Sequence, residues 1–248
     1  MSRPIALITG GTSGIGYAIA RKLVSTHDLA LIFRNNQARA EAAKERLEKS
    51  SSLASVRVFP AELMGHEDCQ KVYALLVREM KGSPEILIHS AGRIRPNLFV
   101  ASGFSEIEAM VKEHLIVAMA LSQLVLPAMY KNKSGRILFL GSTAAQCPAP
   151  GQASYAAAKA ALEGFTRALS LEVSHRGITI NCIAPGLTET PLAEETIAML
   201  KANGSPRNSA IALPEDVADV AAFLCSGEAG HLSGRVFSVH AGTKPAKA

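Results

Sequence analysis

The residues that most constrain this chain lie near its start. An apolar run, Ile5 to Thr9, meets Gly10-Gly11-Thr12-Ser13-Gly14-Ile15-Gly16, and then Ile19, Ala20, Leu23 and Val24 recur at helical spacing. A strand, a glycine turn and a helix in that order cradle phosphate. Glycines let the backbone approach a pyrophosphate, and the helix N-terminus offers free N–H groups with a partial positive charge. The spacing, Thr-Gly-x-x-x-Gly-x-Gly, is one residue longer than the Gly-x-Gly-x-x-Gly form. A plain glycine-rich turn would have the same composition; placement between strand and helix favours the cradle.

The alternation continues. Strand patterns at Leu29 to Phe33, Val56 to Phe59, Ile86 to His89, Arg136 to Leu140, Thr179 to Ala184 and Arg235 to Val239 are separated by helical patterns. The helices span Gln37 to Lys49, His66 to Lys81, Ser105 to Tyr130 with an interruption at Pro127, and Gln152 to His175. A last one is opened by Pro214-Glu215-Asp216. This order predicts an α/β fold: one doubly wound parallel sheet with helices on both faces. No linker or repeat divides residues 1–248, so a single domain is expected. Residues 187–213, rich in Pro, Thr, Asn and Gly around a helical patch at Glu194 to Ala202, are expected to form a lid or substrate loop. The polar tail 244–248 is expected to fray.

With 48% hydrophobic and 19% charged residues in 248, the chain can bury a large core. Its net charge of +5 is scattered, without the basic runs or aromatic-rich strip of a nucleic-acid binder. A phosphorylated ligand or acidic partner fits better. Cys69, Cys147, Cys182 and Cys225 are dispersed and no metal-ligand spacing occurs, which points to reduced thiols, a cytoplasmic setting and no metal. The start has neither signal-peptide nor transit-peptide form. The greasy stretch Leu115 to Tyr130 carries Ser122, Gln123 and Pro127, which argues against a membrane span.

Two places carry chemistry. Tyr155 and Lys159 stand four apart on an alanine-rich helix and share a face. An ammonium beside a phenol favours phenolate, so Tyr155 is a candidate acid/base, and Ser142 upstream a second hydrogen-bonding group. Surface decoration is the bland alternative. Arg34, with Asn35 after it, ends the second strand about twenty residues beyond Gly14, where an NAD-binding fold places an acid on the ribose. An arginine there pairs with a 2′-phosphate instead, so NADP(H) is expected. Ala91 and Gly92, after the fourth strand, suit close backbone approach by a ligand.

Taken together, Thr9-Gly10-x-x-x-Gly14-x-Gly16, Ala91-Gly92, Ser142, Tyr155-x-x-x-Lys159 and Pro185-Gly186-x-x-x-Thr190 resemble the short-chain dehydrogenase/reductase family over essentially the whole chain. Within it, Gly151 to Lys159 and Arg176 to Asn181 look most like bacterial 3-oxoacyl-[acyl-carrier-protein] reductases. The resemblance implies a Rossmann-type sheet, an NADP(H) cofactor and reduction of a carrier-bound 3-oxoacyl thioester in fatty-acid synthesis. Tyr155 would donate the proton, Ser142 would steady the carbonyl oxygen, and Lys159 would lower the tyrosine pKa and hold the nicotinamide ribose. The cofactor would also meet Gly10, Thr12, Ser13, Gly14, Ile15, Gly16, Arg34, Asn35, Glu62, Leu63, Ala91, Gly92, Pro185, Gly186 and Thr188.

Departures from the family pattern are local. Its Asn-Asn-Ala-Gly reads His89-Ser90-Ala91-Gly92, its Asp after the third strand is Glu62, and His114 stands where many members carry a tetrad asparagine. His114 either keeps a modified proton relay or is a packed histidine without a role. Lys131, Lys133, Arg136 and Arg176 match the region where related reductases receive an acidic carrier protein. The family implies a homotetramer through the two long helices. Two further readings remain: a broader carbonyl reductase or alcohol dehydrogenase on free ketones, quinones, steroids or CoA thioesters, and a non-catalytic nucleotide-binding regulator. Intact Ser142, Tyr155 and Lys159 argue against the second.

Overall fold

The computed structural model describes residues 3–202 and 211–240. Its strands are β1 (Ile5–Thr9), β2 (Asp28–Phe33), β3 (Val56–Pro60), β4 (Ile86–His89), β5 (Gly135–Leu140), β6 (Ile178–Pro185) and β7 (Val236–Val239). Among the described residues they form one parallel sheet in the order β3-β2-β1-β4-β5-β6-β7. β1, β4, β5 and β6 are buried along nearly their whole length, which is why they read as continuous apolar runs. The edges, β3 and β7, are the exposed exceptions.

Alternation along each strand sorts side chains into two cores. Ala6 and Ile8 face one side, where α1 (Gly14–Leu23), α2 (Gln37–Ser50) and α8 (Pro214–Cys225) contribute Ile19, Leu47 and Val217. Ile5 and Leu7 face the other, with Leu76 of α3 (His66–Met80), Leu121 and Val125 of α5 (Val117–Asn132) and Leu162 of α6 (Ala153–Val173). Helices thus cover both faces. Asn181, fully buried on β6, fastens the approach to β7, donating to Leu232 O at 2.9 Å and accepting from Arg235 N at 3.1 Å.

The long central helix differs from expectation. It runs without interruption from α4 (Phe104–Val111) through one π turn, Lys112–Ile116, into α5, and Pro127 lies inside α5 without ending it. The irregularity is the π turn, a feature with no composition signal. Residues 104–132 are long and apolar enough to cross a membrane by length and composition, yet Val117, Ala118, Leu121, Val125 and Met129 are packed into the sheet's core. This is a core helix.

Chain order turns back on itself between β1 and β4, opening a crevice at their carboxyl ends. The segment after β6 contains α7 (Glu194–Ala202). Positions 203–210 of the expected lid and the whole expected frayed tail, 244–248, lie outside the described residues.

Candidate active site

The crevice is a cleft of about 420 Å³ at the carboxyl ends of β1, β2 and β4. It is lined by Gly10, Thr12, Ser13, Gly14, Ile15, Arg34, Asn35, Glu62, Leu63, Ala91 and Gly92, most of the set expected to hold a cofactor. Two glycines there are structurally required. Gly10 has φ +67°, and a Cβ on Gly16 would stand 2.4 Å from Gly10 O, so nothing larger fits where α1 leaves the turn. Gly16 therefore acts from behind the cleft. Ser13 precedes α1 without a side-chain cap bond, which leaves first-turn N–H groups for an anion. A close-packed glycine cradle, an uncapped helix start and a neighbouring arginine fit a dinucleotide.

Sequence reasoning missed Arg39. It lines the cleft beside Arg34, in the first turn of α2, whose N-cap Asn36 accepts from Arg39 N at 2.9 Å. The nearest acid in sequence, Glu41, is held by Gln37 Nε2 at 2.8 Å, and neither arginine has an ion pair among the described residues. A cation in a helix's first turn opposes the macrodipole, and that was the readable cue.

The second group of expected residues stands beyond the cleft, Lys159 buried and Ser142 and Tyr155 half-buried. Lys159 is 5% exposed and donates to Leu140 O; its Nζ lies 5.7 Å from the Tyr155 ring centroid. Burial lowers its pKa to about 8. Burial also pushes the Tyr155 phenol above its ordinary value, while hydrogen bonding to Ser142 pulls the other way. Desolvation thus sets the direction, and the lowering expected from Lys159 is not among the causes of the shift. Ser142, at the end of β5, also accepts from Ala144 N at 3.2 Å, which fixes the start of the turn leading to α6.

His114 joins the two groups. Its ring stands edge-on to Tyr155, centroids 5.2 Å apart, and fills the space a Cβ on Gly92 would need, 2.0 Å from Cε1. Nε2 donates to Arg93 O at 2.8 Å; Nδ1 is buried without a partner. Burial, then Lys159, hold its pKa well below the ordinary value, so the ring is neutral. His89 is neutral too, burial and Lys159 taking its pKa down to about 3. Its Nε2 donates to Glu113 O at 3.1 Å, so Nδ1 accepts from Thr9 Oγ1 at 3.0 Å. Thr9 Oγ1 in turn accepts from Ser90 N at 3.1 Å and Ala91 N at 3.0 Å. One buried threonine and one neutral histidine thereby shape the loop.

Other expected residues lie further off. Pro185 ends β6 and Gly186 N donates to Val239 O at 2.8 Å. The Thr188 hydroxyl is turned to Gly186 O at 3.0 Å, and Thr190, Pro191 and Leu192 line the cleft instead. Lys131, Lys133, Arg136 and Arg176 gather at the amino end of β5, opposite the cleft. Arg136 is committed to Gly135 O, Gly177 O and Ser226 O, and Arg176 lies over the Tyr130 ring at 5.0 Å. Lys131 and Lys133 are exposed.

Residues 4–201 match the family model described as short chain dehydrogenase. The chain is 34% identical to the 3-oxoacyl-[acyl-carrier-protein] reductase of Haemophilus influenzae over 247 residues, 98% of each chain. It is 32% identical to the Escherichia coli reductase of the same name, covering 96% of each. The crystal structure of an acetoin dehydrogenase from Salmonella typhimurium superposes with a TM-score of 0.82 at 24% identity, over 96% of this chain and 95% of that one, a likeness of fold.

Proposed function

The chain belongs to the short-chain dehydrogenase family and is an oxidoreductase of the CH–OH/C=O pair that uses a nicotinamide cofactor, and from that premise we propose that it reduces a carrier-protein-bound 3-oxoacyl thioester to the 3-hydroxyacyl form with NADPH. The observation that carries this reading is Tyr155, half-buried among Ser142, Lys159 and His114, with His114 packed against Gly92 of the glycine-lined cleft.

A bound nicotinamide supplies hydride to the carbonyl carbon. Tyr155 gives its phenolic proton to the carbonyl oxygen as negative charge develops there, and Ser142 donates a hydrogen bond to the same oxygen. The Lys159 ammonium favours the phenolate left behind and is placed to hold sugar hydroxyls. The glycine loop and the start of α1 would hold the diphosphate. Arg34, with Arg39 beside it, supports a 2′-phosphate and hence NADP(H). Leu98, Phe99 and Val100 are exposed on the loop after β4, which Asn97 N ties to Gly151 O at 3.0 Å, and these side chains support an acyl substrate. Docking of an acidic carrier falls to Lys131 and Lys133. We read the chain as one cytoplasmic domain that assembles as a homotetramer, for which exposed Phe104, Met119 and Leu171 on the long helices are the support.

The test is NADPH oxidation with 3-oxoacyl thioesters on carrier protein, on CoA and as free ketones, with NADH alongside. Tyr155→Phe is expected to lose about a thousandfold in kcat, within the range for a general acid. A free ketone turned over better than the carrier thioester, or NADH used better than NADPH, would overturn the corresponding part.

A further inference from the structure

The loop after β4 and the π turn beside it grip one another in both directions. His89 Nε2 donates to Glu113 O, and His114 Nε2 donates to Arg93 O. Between them runs an ion pair: Arg93 Nε donates to Glu113 Oε2 at 3.0 Å, and Nη2 makes a close contact with Oε1. Sequence analysis singled out neither Arg93 nor Glu113, and the mechanism above uses neither.

Both residues line the cleft. The Glu113 side chain is 12% exposed and that of Arg93 29%. Glu113 occupies one edge of the guanidinium; Nη1 has no hydrogen-bond partner among the described residues and is not fully buried. The Glu62 carboxylate stands 3.9 Å from Nη2. An arginine held this way has lost its rotamer freedom before any ligand arrives, so less entropy is lost on binding. Two carboxylates around one guanidinium leave no net positive charge. Such a group offers fixed N–H donors while disfavouring phosphate, which suits the uncharged hydroxyls of a sugar.

We infer that Glu113 is a positioning residue that holds Arg93 along the cleft wall, so that the open edge of the guanidinium donates to sugar hydroxyls of the bound dinucleotide. The inference rests on the reading of the cleft as the cofactor site.

The experiment is direct titration with NADPH, followed by its fluorescence on binding, for wild type, Arg93→Met, Arg93→Lys, Glu113→Gln and the double variant Arg93→Met/Glu113→Gln. Arg93→Met is expected to raise Kd about tenfold, the size of one hydrogen bond to a charged group. Arg93→Lys is expected to lose as much, because it keeps the charge without the fork. Glu113→Gln should weaken binding in the same direction, and the double variant should be no worse than Arg93→Met alone, since Glu113 acts through Arg93. The ratio of Kd values should be the same at low and high salt, whereas a phosphate contact would fade with salt. In turnover, cofactor KM should rise more than kcat falls. Variants that melt earlier yet bind NADPH like wild type would reduce the pair to a structural tie and overturn the inference. So would additive losses in the double variant, or a full rescue by Arg93→Lys. If Glu113→Gln does not fold, the two Arg93 variants still decide. Wild type that binds neither NADPH nor NADH would instead remove the cofactor reading itself.

Discussion

The two walls of the cleft are built by opposite means. The β1–α1 wall is made of backbone: Gly10 and Gly16 let main chain lie on main chain, and a Cβ at Gly10 would already press on Ala91 at 3.2 Å. The wall after β4 is made of side chains reaching across sequence, Thr9 to His89, His89 to Glu113, Arg93 to Glu113 and His114 to Arg93. The first wall tolerates almost no substitution because its space is already filled. The second has been rebuilt around histidines and an ion pair. Backbone that must meet a ligand is fixed by sterics, whereas its supports can be exchanged as long as each buried donor finds an acceptor.

That contrast can be broken at either wall. The largest effect is expected from Gly16→Ala, where the new methyl meets the carbonyl of Gly10. Urea melts should show a loss of about 3 kcal/mol, at the upper end for overpacking, together with loss of measurable cofactor binding. Thr9→Val comes next. It leaves Ser90 N, Ala91 N and His89 Nδ1 without their shared hydroxyl, and about 2 kcal/mol should go, visible in the same melts.

Acid should attack the second wall. His89 and His114 are neutral when folded, with pKa values held below the ordinary 6.5, that of His89 at about 3. Below pH 6.5 the unfolded chain binds more protons than the folded one, so stability is complete above that pH and falls as pH drops toward the folded values. Each histidine contributes a slope of up to about 1.4 kcal/mol per pH unit. His114→Asn should flatten the acid limb of stability against pH; an unchanged limb would mean His114 is already protonated in the fold. The smallest effect is expected far from both walls. Lys22 and Asp219 form a surface pair between α1 and α8, and Lys22→Ala should cost under about 1 kcal/mol in a thermal melt.

The first wall was legible in the sequence, and the second was legible only as a set of departures. Gly10 to Gly16 is a local pattern whose meaning follows from its position between a strand and a helix. Tyr155 and Lys159 were readable for the same reason, four apart on one helix face. Arg93 and Glu113 are twenty positions apart, Thr9 and His89 eighty, and nothing local couples them. The irregularity in the long helix was assigned to Pro127 because proline is the breaker a sequence displays. The actual distortion is the π turn at Lys112–Ile116, which carries the two residues that grip the loop after β4. The Tyr155 pKa shows the same limit: spacing identified the neighbouring cation, but the desolvation that raises the phenol exists only in the fold.

That π turn has one more consequence. Each residue advances an α-helix by about 100°, so one extra residue in a turn rotates everything upstream by that amount relative to everything downstream. α4 and α5 therefore keep independent angular phases along one continuous axis, and Glu113 and His114 sit at the step between them. Deleting a single residue there would restore a regular helix and leave its two halves facing along one line, and α4 would swing away from α6, against which it now packs.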